Sequence, residues 1–213
     1  MEIRTSFWAT YWSYVVRPRR TADALVADYR RVRFGAFAVL IPAAGYTSMY
    51  LLASIAGGAP SSFSPWLAIP KEVYFKYDVF IVAPSMFACW VLASGVAQLV
   101  SRLFSGSGSF EDTAAVLGFG IGIATWSSLV HDLTDAALGA LGVIDMRQYE
   151  RALNEPTVWR AILWALYSIY LAWFILLFSK GMGAAHKTRH GSSLLMAITA
   201  FIIYQGFYLV FNR

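Results

Sequence analysis

Charge is scarce in this chain of 213 residues: 14% are Asp, Glu, Lys or Arg, while 58% are hydrophobic. Soluble domains average about 25% charged residues. The deficit argues against both a soluble core and a disordered chain. Cysteine is rarer still. Cys89 has no second thiol to bridge, which excludes an internal disulfide framework. Set in an apolar run, it reads as a small buried hydrophobe. No phosphate-binding loop, nucleophile elbow or dinucleotide fingerprint is present, and the Gly/Ser turn at Gly106-Ser107-Gly108-Ser109 lacks the lysine that a phosphate loop needs. The expectation is therefore a non-enzymatic protein without a cofactor. The first 33 residues also lack a small-x-small cleavage site after a continuous apolar stretch, so they do not read as a cleaved signal peptide.

What the chain does have is long apolar runs. About 20 apolar residues suffice for a helix to cross the roughly 30 Å hydrocarbon core of a bilayer. Five runs meet that length: 34–56 with Pro42 inside, 79–100 with Pro84 near its start, a central run beginning at Ala114, 157–178, and 192–211. A proline inside a helix removes one backbone bond and commonly kinks it. The fold expected is an all-α polytopic membrane protein with five transmembrane helices over 34–213, preceded by an amphipathic basic segment over 1–33. Within that segment Phe7, Trp8, Tyr11, Trp12 and Val15 share one helical face, and Ala22, Leu25, Val26, Tyr29 and Val32 share another after Pro18. Aromatic rings favour the headgroup region, so an interfacial helix is expected. Phe63, Pro65, Trp66, Leu67 and Ile69 suggest a further interfacial piece. Pro70 to Asp78 mixes charge with rings like an aromatic belt. Residues 145–156 read as a polar loop, and Lys180, His186, Lys187, Arg189 and His190 as a basic one.

The basic residues are unevenly spread. With the N-terminus inside, eleven fall on inside segments and six on the other side. The positive-inside rule then places the N-terminus in the cytoplasm and the C-terminus opposite. Arg17, Arg19, Arg20, Arg30, Arg31 and Arg33 crowd the N-terminal segment, where each can add on the order of 1 kcal/mol of attraction to anionic lipid. This is a membrane-surface signal, and no nucleic-acid partner is expected.

The central run carries most of the detail. Ser109 suits an N-cap, with Glu111 and Asp112 in the first turn at the positive helix end. Gly118 and Gly122 form a GxxxG pair that lets another backbone approach closely. Beyond Val130 the polarity rises at His131, Asp132 and Asp135. His131 and Asp135 are one turn apart on a shared face, and ionisable groups at membrane depth are costly and often functional. Two uses remain open for this cluster: a solvated or paired structural end of the span, with Arg147, Arg151 and Arg160 as candidate partners, or a step on the path of a small transporter or channel. His-Asp-x-x-Asp alone supplies too few good ligands for zinc.

Three features together resemble the Yip family, the Ypt/Rab-interacting membrane proteins, in its bacterial branch. Arg17-Pro18-Arg19 precedes the first span. Gly106-Ser107-Gly108-Ser109-Phe110 leads into Thr113-Ala114-Ala115-Val116-Leu117-Gly118, similar to the family's Gly-x-Gly-Ser-Phe turn and following helix. Five spans with the N-terminus inside complete the match. The Asp-Leu-Tyr-Gly-Pro motif of eukaryotic members is absent, so the resemblance does not imply GTPase binding here. It implies an integral membrane protein, in a bacterial cytoplasmic membrane, with a role in membrane organisation or as an accessory or scaffold subunit. Its partners would be anionic lipids of the cytoplasmic face and other membrane proteins or further copies of itself.

Overall fold

The computed structural model describes residues 6–60, 67 and 69–212, and every regular element among them is helical. Phe63, Pro65 and Trp66 lie outside the described residues, as do Arg4 and Arg213. Four helices are long and apolar enough to cross a membrane: α3 (Arg31–Ile55), α4 (Tyr74–Leu103, led in by a 3-10 turn at Lys71–Val73), α8 (Val158–His186) and α9 (His190–Phe211). Helices α5 (Phe110–Ala124) and α6 (Trp126–Ala140) pass the same test together, bent by 45° at the break between them, and make a fifth where the bent pair is one span. The chain is an all-α polytopic membrane protein. Two short helices, α1 (Phe7–Val16) and α2 (Pro18–Ala27), precede the bundle, and α7 (Met146–Ala152) sits in the connection before α8.

The bundle is built around α5, whose residues from Asp112 to Ala124 are all buried. Taking the end where α3 begins as the near end, α3 runs parallel to α5 and α6: Gly35 lies against Ala115 and Gly45 against Leu129. Helix α4 runs antiparallel to α5, with the Trp90 indole donating to the Ala114 carbonyl at 2.8 Å and Gln98 to Gly108 at 3.0 Å. Helix α8 covers the other flank through Gly181 on Val116. Helix α9 closes the circle between α8 and α4, where Phe174 meets Phe201 and the Tyr74 hydroxyl donates to the Phe211 carbonyl.

The central span breaks earlier than its polarity suggests, between Ala124 and Trp126 rather than after Val130. Three hydroxyls within four residues explain the place. Thr125, Ser127 and Ser128 each donate back to a carbonyl three or four residues earlier, at 2.7, 2.9 and 3.3 Å, a pattern that bends helices. From outside, the Tyr11 hydroxyl of α1 donates to the Gly122 carbonyl at 2.6 Å and accepts from the Trp126 indole at 2.8 Å. One α1 side chain thus holds both sides of the bend.

Several loops expected from polarity are helical. The basic loop shrinks to residues 187–189, because α8 continues through Lys180 to His186. Gly181 makes this run possible, since a Cβ there would fall 2.9 Å from the Val116 Cβ and against the Tyr14 hydroxyl. The polar loop after α6 contains α7, capped by Asp145, whose carboxylate accepts from the Gln148 N–H at 3.0 Å. Helix α4 starts at Tyr74, so Asp78 is not in a surface belt but fully buried. Helix α3 runs unbroken through a buried Pro42, and Cys89 is buried with a free thiol.

Candidate functional site

Polar side chains gather at both ends of the bundle. At the near end the Gly/Ser turn is seated on His186. Ser109 caps α5 by accepting from the Asp112 N–H at 3.2 Å, and the Asp112 carboxylate accepts from the Ser109 N–H at 2.8 Å, a reciprocal capping box. The other oxygen of Asp112 pairs with the Arg31 guanidinium at 2.8 Å, tying the start of α3 to the start of α5. His186, 1% exposed, has Nε2 at 2.8 Å from the Thr113 hydroxyl. That hydroxyl has acceptors at Gln98 Oε1 (2.6 Å) and Ser109 O (3.2 Å) for its single proton. His186 Nε2 is therefore the donor, and in the neutral ring Nδ1 carries none. The ring sits so close to the turn that a Cβ on Gly106 or Gly108 would lie 3.0 Å from Nδ1. The two glycines permit that approach. The sequence places His186 in a basic loop; the glycines of the turn are the one signal that something packs there.

At the far end, His131, Asp132 and Asp135 come together on α6. His131 Nδ1 lies 3.0 Å from Asp135 and 3.5 Å from Asp132. All three side chains are only 14–18% exposed. The Tyr149 hydroxyl of α7 donates to Asp135. The arginines considered as partners go elsewhere: Arg147 donates to the Gly57 carbonyl at 2.8 Å, Arg151 to Arg147 O at 3.3 Å and Arg160 to Asn154 O at 2.9 Å. A tyrosine replaces them because α7 turns the 146–152 segment back over α6. His131 with two carboxylates can hold one positive charge against two negative ones, and can take up or release a proton. Among the described residues no group of three His, Cys, Asp or Glu is arranged to hold a metal ion. His186 and His131 stand at opposite ends of the bundle and cannot act together.

Beside that cluster, α7 clasps the end of α3. Glu150 accepts from the Ala59 N–H at 2.9 Å, and a Cβ on Gly58 would fall 2.9 Å from its other oxygen. Burial raises the Glu150 carboxyl to about 7, against the lowering effects of the Ala59 N–H and Arg147.

Gly118 and Gly122 face α3. A Cβ on Gly118 would lie 2.8 Å from the Gly35 Cα and against its carbonyl oxygen, and one on Gly122 would lie 2.8 Å from the Ala38 carbonyl carbon. The pair meets backbone of the same chain. The N-terminal arginines divide into two groups. Arg17, Arg19 and Arg20 are exposed at the junction of α1 and α2. Arg30 instead forks onto Asp28 at 2.8 and 3.1 Å, Arg31 is held by Asp112, and the Arg33 guanidinium lies over the Phe37 ring at 5.3 Å. Around them the rings of Trp8, Trp12 and Tyr29 are 58, 63 and 76% exposed. Between α1 and α3, Phe7, Trp8, Phe37, Leu40, Ile41 and Ala44 line an open apolar groove.

No curated protein and no solved structure matches the chain. A family model does, that of the Yip1 domain, over residues 12–211. The match takes in the second half of α1 and everything from α2 to α9. The chain belongs to the Yip1 domain family.

Proposed function

We propose that this protein acts without catalysis, as a membrane-organising or accessory subunit that works through lipid and protein contacts. The observation that carries the reading is the α1–α2 hairpin. It exposes Arg17, Arg19 and Arg20 at its junction and the rings of Trp8 and Trp12 on α1, and Phe7 and Trp8 of α1 line an apolar groove. Cations beside exposed indoles suit an anionic headgroup above an acyl region. The positive-inside bias supports a place for this hairpin in the cytoplasmic leaflet, and the resemblance to the bacterial branch supports a bacterial inner membrane. Other membrane proteins or a second copy would dock on the same lipid-facing surfaces.

The test is lipid-dependent stability of the full chain in mild detergent. Phosphatidylglycerol should raise the melting temperature more than phosphatidylcholine, because a ligand that binds only the folded state stabilises it. The difference should shrink with salt, since exposed charges are screened over about 8 Å at physiological ionic strength. It should vanish in the Arg17→Gln, Arg19→Gln, Arg20→Gln triple variant. Equal effects of the two lipids on the wild type would refute the reading.

A second reading, a small transporter or channel, is favoured by one observation: His131, Asp132 and Asp135 are mostly buried at the far end. Asp135→Asn that folds normally but loses an ion or proton flux in proteoliposomes would select it.

A further inference from the structure

Asp78 is a fully buried carboxylate in the far half of the bundle that the two centres above do not use. It lies on α4 with no exposed surface, and neither of its oxygens has a hydrogen-bond partner among the described residues. No lysine, arginine or histidine among them pairs with it. An isolated carboxylate taken out of water resolves the cost by binding a proton and becoming neutral. A metal cation is a poor alternative: calcium needs six to eight oxygen ligands and even magnesium several, and no suitable cluster of acids or histidines surrounds Asp78.

The ionisable side chains on the elements packed against this part of α4 are Tyr46 and Tyr50 of α3 and Tyr204 and Tyr208 of α9, with Tyr74 on α4 itself. All are hydroxyls, neutral at physiological pH. Lys71, Glu72 and Lys76 belong to the exposed side of the α4 start. Three of the tyrosine rings cluster. The Tyr50 ring lies 5.6 Å from that of Phe75, three residues before Asp78 on α4, and 6.5 Å from that of Tyr46. The Tyr208 ring lies 6.2 Å from that of Tyr46. Tyr46 in turn shares a hydrogen bond of 3.1 Å with Ser128, one helical turn before Asp132 on α6. The cluster thus lies between the part of α4 that carries Asp78 and the part of α6 that carries His131, Asp132 and Asp135.

We propose that Asp78 is a proton-binding site, occupied at neutral pH, and that Tyr50, Tyr208 and Tyr46 connect it to the acidic group on α6. The step is simple: the carboxylate takes one proton and loses its negative charge, and deprotonation restores it. Nothing else is consumed.

Infrared spectroscopy of the full chain, with its aspartates carrying carbon-13 in the carboxyl, reads this directly. The label separates aspartate from glutamate bands. At pH 7 the wild type should show the carbonyl stretch of a protonated, labelled aspartic acid. Asp78→Asn should lose that band, and Asp132→Asn should keep it. Should Asp78→Asn not fold, Asp78→Glu moves the group out of the labelled set, and the labelled band should vanish while an unlabelled one appears. After transfer to heavy water the band should shift more slowly in Tyr50→Phe than in the wild type. No protonated band in the wild type at pH 7, or a band that survives loss of Asp78, overturns the site. Equal exchange in Tyr50→Phe overturns the connection.

Discussion

Replacing Gly122 by alanine pits two effects of opposite sign against each other. Alanine is the better helix former, and glycine within a helix is worse by roughly 0.5–1 kcal/mol. On an open face the substitution should stabilise. At Gly122 it should not. The added Cβ would fall 2.8 Å from the Ala38 carbonyl carbon and 3.1 Å from the Ala38 Cβ, and its neighbours are backbone, which cannot rotate away. An ordinary carbon contact is about 3.5–4.0 Å, so α3 and α5 must separate along their whole contact. Overpacking costs about 1–3 kcal/mol, which exceeds the helix gain. Gly122→Ala should therefore lose about 0.5–2 kcal/mol, and Gly122→Leu more. Gly206 in α9, with no atom within 4 Å of a Cβ, is the internal control: Gly206→Ala should gain up to about 1 kcal/mol. Thermal unfolding of the three variants in one detergent, followed by circular dichroism, makes the comparison. Gly122→Ala as stable as Gly206→Ala would show that this face is not a backbone contact.

Tyr11→Phe removes the hydroxyl that holds both sides of the α5–α6 bend and should cost about 1–3 kcal/mol, since it leaves the Trp126 indole without its partner; the melting temperature checks it. Asp112→Ala breaks the capping box and frees Arg31, and should cost about 1–2 kcal/mol; Asp112→Asn should recover part of that. Burial raises Glu150 to about 7 in the folded chain from an ordinary 4.5, so the folded state holds the extra proton. Its contribution is fully present below pH of about 4.5 and is lost as pH rises to about 7. Melting temperature across that window should fall in the wild type and flatten in Glu150→Gln; parallel curves would remove Glu150 as the cause.

The four unbroken membrane-length helices were legible because they depend on composition over some 20 residues, and apolar runs of that length have few other uses. The start of α5 was legible too, since Ser109 with Asp112 three residues on is a local capping signal. Gly118 and Gly122 could be picked out as small residues, but their partners Gly35 and Ala38 lie more than 80 residues away in the chain. His131 and Asp135 could be paired from helical spacing alone, whereas the partner from α7 could not: Tyr149 wins over the arginines through a turn that polarity does not encode. Asp78 and His186 were hidden for a common reason. Both sit at the edges of apolar runs, where sequence polarity suggests water, and both are buried because the helices extend past those edges. The bend at Thr125 depends on Tyr11, over 100 residues earlier, and no window on the central run contains it.

Both the lipid contact of the α1–α2 hairpin and the far-end polar centres rest on the bent α5–α6 pair crossing the membrane once, as the third of five spans. In a Cys89→Ser background, a single cysteine at Ser107 in the near-end turn and another at Asn154 beyond α7 can be probed in intact cells with a membrane-impermeant maleimide. The expected result is labelling at Asn154 from outside and protection at Ser107 until the cells are opened. Labelling of both positions from the same side would mean that α5 and α6 form a re-entrant loop and that the chain crosses four times.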